Sequence, residues 1–146
     1  MPNQDLEKRV RMLEDLEAIK NLHQQYISFL DRLEFQKALD LFTEDATAEV
    51  RNSGIKKGKK AISEIYLGTL AKRTERHDGH LAAQPEIKVE GDTARGTWLI
   101  YMFFSVPSVQ WVQGRNECEY VKQDGHWRIS RLKFTRTLAS RPELFP

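Results

Sequence analysis

The sequence predicts an α+β fold: helices come first, then a meander of strands forming a curved antiparallel sheet wrapped round them. Over residues 5–33, apolar side chains recur in steps of mostly three, four or seven (Leu6, Val10, Leu13, Leu16, Ile19, Tyr26, Leu30, Leu33). That is the period of a helix with one buried stripe. From about residue 84 the pattern changes to alternation, interrupted by Gly91-Asp92 and Asp124-Gly125, both strong hairpin-turn signals. Helices segregated from an antiparallel sheet pack on one of its faces. A bent sheet closed by helices makes a cone with an apolar interior, a natural pocket for a small molecule.

The elements follow in order. A second short helix is expected over residues 35–42, with Ala38, Leu41 and Phe42 turned inward. Thr47-Ala48-Glu49-Val50 and Gly54-Ile55 read as short strands, and residues 60–73, with Ile62, Ile65, Tyr66 and Leu70, as a third helix. Residues 86–90 alternate. Residues 97–106 are apolar on both faces, Pro107-Ser108 turns the chain, and residues 111–121 and 127–134 form the last strands. One domain over residues 1–146 is expected, with N-terminal helices at about 5–43, a third helix at about 60–73, a strand meander at about 84–137 and a short C-terminal tail.

Composition excludes several classes of function. Hydrophobic residues make up 40% and charged residues 30%, and no window approaches the ~20 apolar residues of a membrane helix. Net charge is +2, from 23 basic and 21 acidic residues, so no overall field favours nucleic acid. Lys56, Lys57, Lys59 and Lys60 flank Gly58 and read as a solvated loop. Cys118 is the one cysteine, so neither an internal disulfide nor a sulfur metal site is expected. The first residues lack a charged-then-apolar signal pattern, and a cytoplasmic location is expected. With scattered histidines and no glycine-rich phosphate loop, any chemistry should need no metal or cofactor.

The candidates for that chemistry are Tyr26 and Asp31, near the end of the first helix, and His80, just before a strand. A phenol, an acid and an imidazole are the groups that proton transfer needs. Trp98, Ile100 and Met102 share one face of a strand and are expected to line the cavity. On the next strand Val112, Gly114, Asn116 and Cys118 have the matching parity, and Asn116 is the polar group among them that could orient a ligand. Leu99, Tyr101 and Phe103 lie on the opposite face, which must be covered, and a homodimer or homotrimer burying them is expected. His126, in a hairpin turn, reads as surface.

Five stretches carry a resemblance that spans nearly the whole chain. They are Tyr26-Ile27-Ser28-Phe29-Leu30-Asp31, the run from Ala38 to Ala46, His80-Leu81, Glu90-Gly91-Asp92-Thr93-Ala94, and the run from Glu119 to Ile129. Together they resemble the SnoaL-like branch of the nuclear transport factor two-like superfamily, of cystatin-like fold. That group includes scytalone dehydratase, hexachlorocyclohexane dehydrochlorinase, bile acid 7-alpha-dehydratase and, more distantly, ketosteroid isomerase. The resemblance places the family's catalytic aspartate on Asp31, its histidine on His80 and a tyrosine on Tyr26. It implies a cofactor-independent lyase or isomerase of dehydratase type, acting on a small apolar substrate, polycyclic or aromatic. His77 and His23 remain alternative partners for Asp31. A non-catalytic small-molecule-binding or subunit-assembly protein of the same fold is the other reading.

Overall fold

The computed structural model describes residues 2–50, 53–73 and 78–144. Helix α1 (Pro2–Asp31) spans 30 residues, ~45 Å at the usual rise. Helix α2 (Phe35–Leu39) is short, and Phe42, which the sequence placed at its end, opens strand β1 (Phe42–Val50) instead. After β2 (Ile55–Lys57) comes α3 (Lys59–Ser63), which widens into a π-helical stretch at Glu64–Leu70 before a last turn, α4 (Ala71–Arg73). Four long strands follow: β3 (Gly79–Glu90), β4 (Thr93–Phe104), β5 (Gln110–Gln123) and β6 (His126–Ala139).

These strands form one open six-stranded sheet in the order β2-β1-β6-β5-β4-β3. It is mixed rather than purely antiparallel, because β1 pairs parallel with β6. The Ile129 amide donates to the Leu41 carbonyl (2.9 Å) beside this seam. The β3–β4 and β5–β6 connections are the two-residue turns that the sequence predicts. Gly91 has φ +63°, and Asp124 and Gly125 both have positive φ, the backbone of a primed hairpin turn. Register shifts interrupt β1–β6, β3–β4 and β5–β6 where strands bend. The shift in β3 lies at Gln84 and Pro85, and an edge strand is where proline is tolerated.

The buried residues of α1 run Asp15, Ile19, Leu22, His23, Tyr26, Ile27 and Leu30, a stripe that lies on the inner face of the sheet. The expected stripe is longer than the buried one. Leu6 (56%) and Leu13 (61%) are exposed, as is Val10, and every residue of α1 before Asp15 is exposed. The helix period identifies an apolar face; whether anything covers it depends on where the sheet ends. Docking begins at Asp15, whose Oδ1 accepts from Lys122 Nζ (2.9 Å) and Trp127 Nε1 (3.0 Å) on the β5–β6 hairpin. Burial alone would raise its pKa, but the Trp127 and Lys122 hydrogen bonds outweigh that and hold the carboxyl below its ordinary value.

Burial alternates along β4 and β5, with Trp98 and Ile100 and with Val112, Gly114, Asn116 and Cys118 all turned inward. A side chain at Gly114 has no room, because its Cβ would lie 2.3 Å from the Phe134 ring and 2.8 Å from the Thr135 carbonyl. No described helix is long and apolar enough to cross a membrane.

Candidate active site

Helix α1 ends at Asp31 for a local reason. Leu33 takes a positive φ (+60°), its amide donates to Leu30 O (3.1 Å), and the Glu34 amide donates to Phe29 O (2.8 Å). That pair of bonds is the Schellman C-terminal motif. It fixes Asp31 in the last turn, where the helix dipole disfavours an anion unless a cation is at hand.

The group at hand is His80. It lies within β3, rather than before it, paired across the sheet with Met102. Its Nδ1 is 2.7 Å from Asp31 Oδ1. With a carboxylate as acceptor, Nδ1 carries the proton and donates it, so the other nitrogen, Nε2, is left as a base. The His80 side chain is mostly buried and that of Asp31 partly exposed (14% and 36% exposed).

His80 lines a cavity of about 80 Å³ that Tyr26, Ile100, Met102 and Asn116 also line, with Asp78, Leu70, Phe104 and Phe134 around them. A cavity of ~150 Å³ is what holds one benzene ring. The enclosed space is smaller than that, and Leu70, Met102, Phe104 and Phe134 border it.

Tyr26 reaches the cavity from α1, and its hydroxyl lies 2.7 Å from that of Tyr66, in the π-helical stretch. Phe42 packs against both rings. Burial pushes the Tyr26 pKa well above 10, with the adjacent Tyr66 adding to it, and burial raises Tyr66 too. Both phenols stay neutral. The pair holds two O–H protons and one mutual hydrogen bond, and when Tyr66 is its donor Tyr26 keeps its own proton for the cavity. Tyr66 reads in the sequence as a core residue on an apolar helical stripe, and nothing local reveals its contact with Tyr26.

Trp98, expected to line the cavity, does not. It faces inward but stacks on His23, with ring centres 4.5 Å apart and planes at 7°. His23 is buried away from Asp31, between Asn116 and Tyr120, so it is not the partner of that carboxylate. His77 lies outside the described residues. Asn116 lines the cavity and also touches His23. Among the described residues no group of three or more His, Cys, Asp or Glu side chains could hold a metal ion.

A sequence model of the SnoaL-like domain matches residues 11–133. The chain belongs to the SnoaL-like domain family. A candidate scytalone dehydratase from Novosphingobium aromaticivorans is similar in structure, with TM-score 0.78 and 20% identity over 88% of this chain and 87% of that one. A hexachlorocyclohexane dehydrochlorinase from Novosphingobium barchaimii gives TM-score 0.80 and 17% identity over 90% and 92%. A nuclear-transport-factor-2-like protein of cystatin-like fold from Novosphingobium aromaticivorans gives 0.79 and 23% over 98% and 96%. At these identities the likeness shows a shared fold. No curated protein matches the chain in sequence at a significant level.

Proposed function

We propose that this SnoaL-like protein is a cofactor-independent lyase or isomerase acting on a small apolar carbonyl compound. The observation that carries the reading is the 2.7 Å contact between Asp31 Oδ1 and His80 Nδ1 at the wall of a cavity that Tyr26 also lines. His80 Nε2 takes a proton from the carbon beside the carbonyl, and the resulting imidazolium is stabilised by the Asp31 carboxylate. The electron pair moves onto the carbonyl oxygen, where a Tyr26 hydroxyl donates to the developing enolate. Ketosteroid isomerase uses a tyrosine donor in an apolar site in this way. Collapse of the enolate either expels a β-substituent, which is elimination, or returns the proton to another carbon, which is isomerisation. Ile100 and Met102 supply the apolar wall and Asn116 a polar contact. Similarity to a candidate scytalone dehydratase and to a dehydrochlorinase, both elimination enzymes by name, supports the lyase arm.

The test needs no knowledge of the natural substrate. Small ketones in D₂O are followed by NMR for exchange of the hydrogens beside the carbonyl. The wild-type protein should accelerate exchange for at least one, and His80→Ala should lose ~10²–10⁴-fold of that acceleration. No exchange with any ketone that binds, or equal exchange by folded His80→Ala, would overturn the mechanism.

The working form is a homodimer or homotrimer. The outer sheet face carries Leu99, Tyr101 and Phe103, joined by Leu81, Trp111 and Leu138 from neighbouring strands. Tyr101 stacks on Phe103 and is half-buried by its neighbours, but Phe103 is 47% exposed and Leu81, Trp111 and Leu138 are exposed too. An apolar surface of this kind marks an interface.

A further inference from the structure

The cavity wall holds a second carboxylate that the proposed reaction does not use. Asp78 lines the cavity, two residues before His80 and just ahead of β3. Asp31 does not line it: that carboxylate meets Nδ1 of His80, on the other side of the ring from Nε2. Of the two acids at this end of the site, the half-buried Asp78 is therefore the one that faces a ligand. The other polar side chains at the wall are Tyr26, His80 and Asn116, and the remaining lining residues are apolar. In such surroundings a matched hydrogen bond is strong and an unmatched polar group is costly.

Donor accounting shows what the wall offers. Tyr66 is fully buried and does not line the cavity, and Tyr26 is its one hydrogen-bond partner among the described residues. Were Tyr26 the donor, the Tyr66 proton would be buried without an acceptor, a cost that the reverse arrangement avoids. Tyr66 therefore donates, and Tyr26 keeps its proton for the cavity. At the opposite extreme, an ionised carboxylate only accepts, at about four positions on its two oxygens. Asp78 has a contact of its own in the protein, and the remaining positions serve a ligand. The wall thus presents a donor from α1, on Tyr26, and acceptors from the start of β3, on Asp78 and His80.

We propose that Asp78 is a specificity-determining residue: it accepts a hydrogen bond from a hydroxyl of the ligand, so the compound that this cavity takes is a hydroxy ketone. The placement of the carbonyl on Tyr26 rests on the proposed reaction, whereas the hydroxyl contact rests on the cavity wall alone. In that reaction the hydroxyl is the leaving group. His80 Nε2 takes the proton from the carbon beside the carbonyl and then, as imidazolium, returns it to the hydroxyl oxygen while the C–O bond breaks. The enolate pair forms the new carbon–carbon double bond, the carbonyl is restored and water departs. Asp78 neither gains nor loses a proton; it holds the oxygen beside His80. A halogen in that position has no proton to share with a carboxylate.

The test is an NMR binding titration of 4-hydroxybutan-2-one against pentan-2-one, in which a methyl group takes the place of the hydroxyl. The quantity read is the ratio of the two dissociation constants. Asp78→Leu removes the acceptor at similar size, and the preference for the hydroxy ketone should fall roughly ten- to hundredfold, the usual worth of a hydrogen bond to a charged group. Asp78→Asn still accepts, without the charge, so there the fall should be smaller, about three- to tenfold. An unchanged ratio in folded Asp78→Leu would sink the idea. So would a ratio that falls in His80→Ala but not in Asp78→Leu, because the imidazole would then be the acceptor. Should Asp78→Leu not fold, the isosteric Asp78→Asn decides, and an unchanged ratio there overturns the proposal. The ratio is read without turnover. A protein that exchanges no ketone hydrogen yet keeps an Asp78-dependent preference would refute the proposed reaction and uphold the role of Asp78.

Discussion

Asp31 occupies the last turn of a helix, where the dipole opposes a negative charge. Its value must come from its partner, the His80 ring 2.7 Å away. Asp31→Asn keeps an acceptor for the Nδ1 proton but cannot neutralise an imidazolium. Ketone exchange should therefore drop in Asp31→Asn by ~10²–10⁴-fold with substrate affinity nearly unchanged, the pattern of an interaction made only in the transition state. An effect confined to affinity would show that Asp31 merely shapes the pocket. His23 makes a different prediction, for stability. Its folded pKa of about 3 lies below the ordinary value of 6.5, so the unfolded chain binds a proton that the native state refuses. Stability should fall as pH drops below ~6.5, by about 2 kcal/mol between pH 7 and pH 5 from this group alone. Urea unfolding of the wild type and of folded His23→Phe at both pH values isolates the term, because the variant lacks it. Parallel curves would show that His23 is solvated.

At the scale of elements, α1 divides at Asp15. Ile19 and Leu22 are buried against the sheet, whereas Leu6 and Leu13 are exposed. In a dilute protomer, Ile19→Ala or Leu22→Ala should cost ~2–5 kcal/mol, and Leu6→Ala or Leu13→Ala less than ~0.5 kcal/mol. Equal costs would mean that the first half of α1 is packed in solution. Gly114→Ala should destabilise by ~1–3 kcal/mol, since the new methyl displaces the Phe134 ring, a cavity wall, or the strand beside it. The same elements show what a sequence can disclose. The hairpins at Gly91-Asp92 and Asp124-Gly125 were legible because a two-residue turn needs residues that tolerate positive φ. The inward parity of β4 and β5 was legible because side chains alternate. The parallel β1–β6 seam was not, for it joins Phe42 to Ile129 and no local pattern encodes a partner so distant. The position of His80 within a strand was hidden by its turn-like neighbours Asp78-Gly79. Tyr66 was on view as a member of an apolar stripe and His23 as a possible partner of Asp31, but their contacts are with groups forty or more residues away: Tyr26 for the first, Asn116 and Tyr120 for the second.

At the scale of the molecule, the sheet has two faces with different demands. The inner face is closed by α1 and the π-helical stretch, and its residual space is the cavity. Among the described residues nothing covers the outer face in this way at its Leu81–Phe103–Trp111–Leu138 end, where four large apolar side chains are exposed. Each of the four is exposed within the protomer, so charging them leaves the core untouched. Leu81→Glu/Phe103→Glu should therefore fold normally and keep its affinity for small ketones, yet elute as a monomer, while the wild type scatters light as a dimer or trimer at micromolar concentration. The two outcomes separate assembly from catalysis. If the monomeric variant still exchanges ketone hydrogens, each protomer holds a complete site, consistent with Asp31, His80 and Tyr26 all coming from one chain. A wild type that is already monomeric under these conditions would remove the interface and leave the apolar end of this face without a partner.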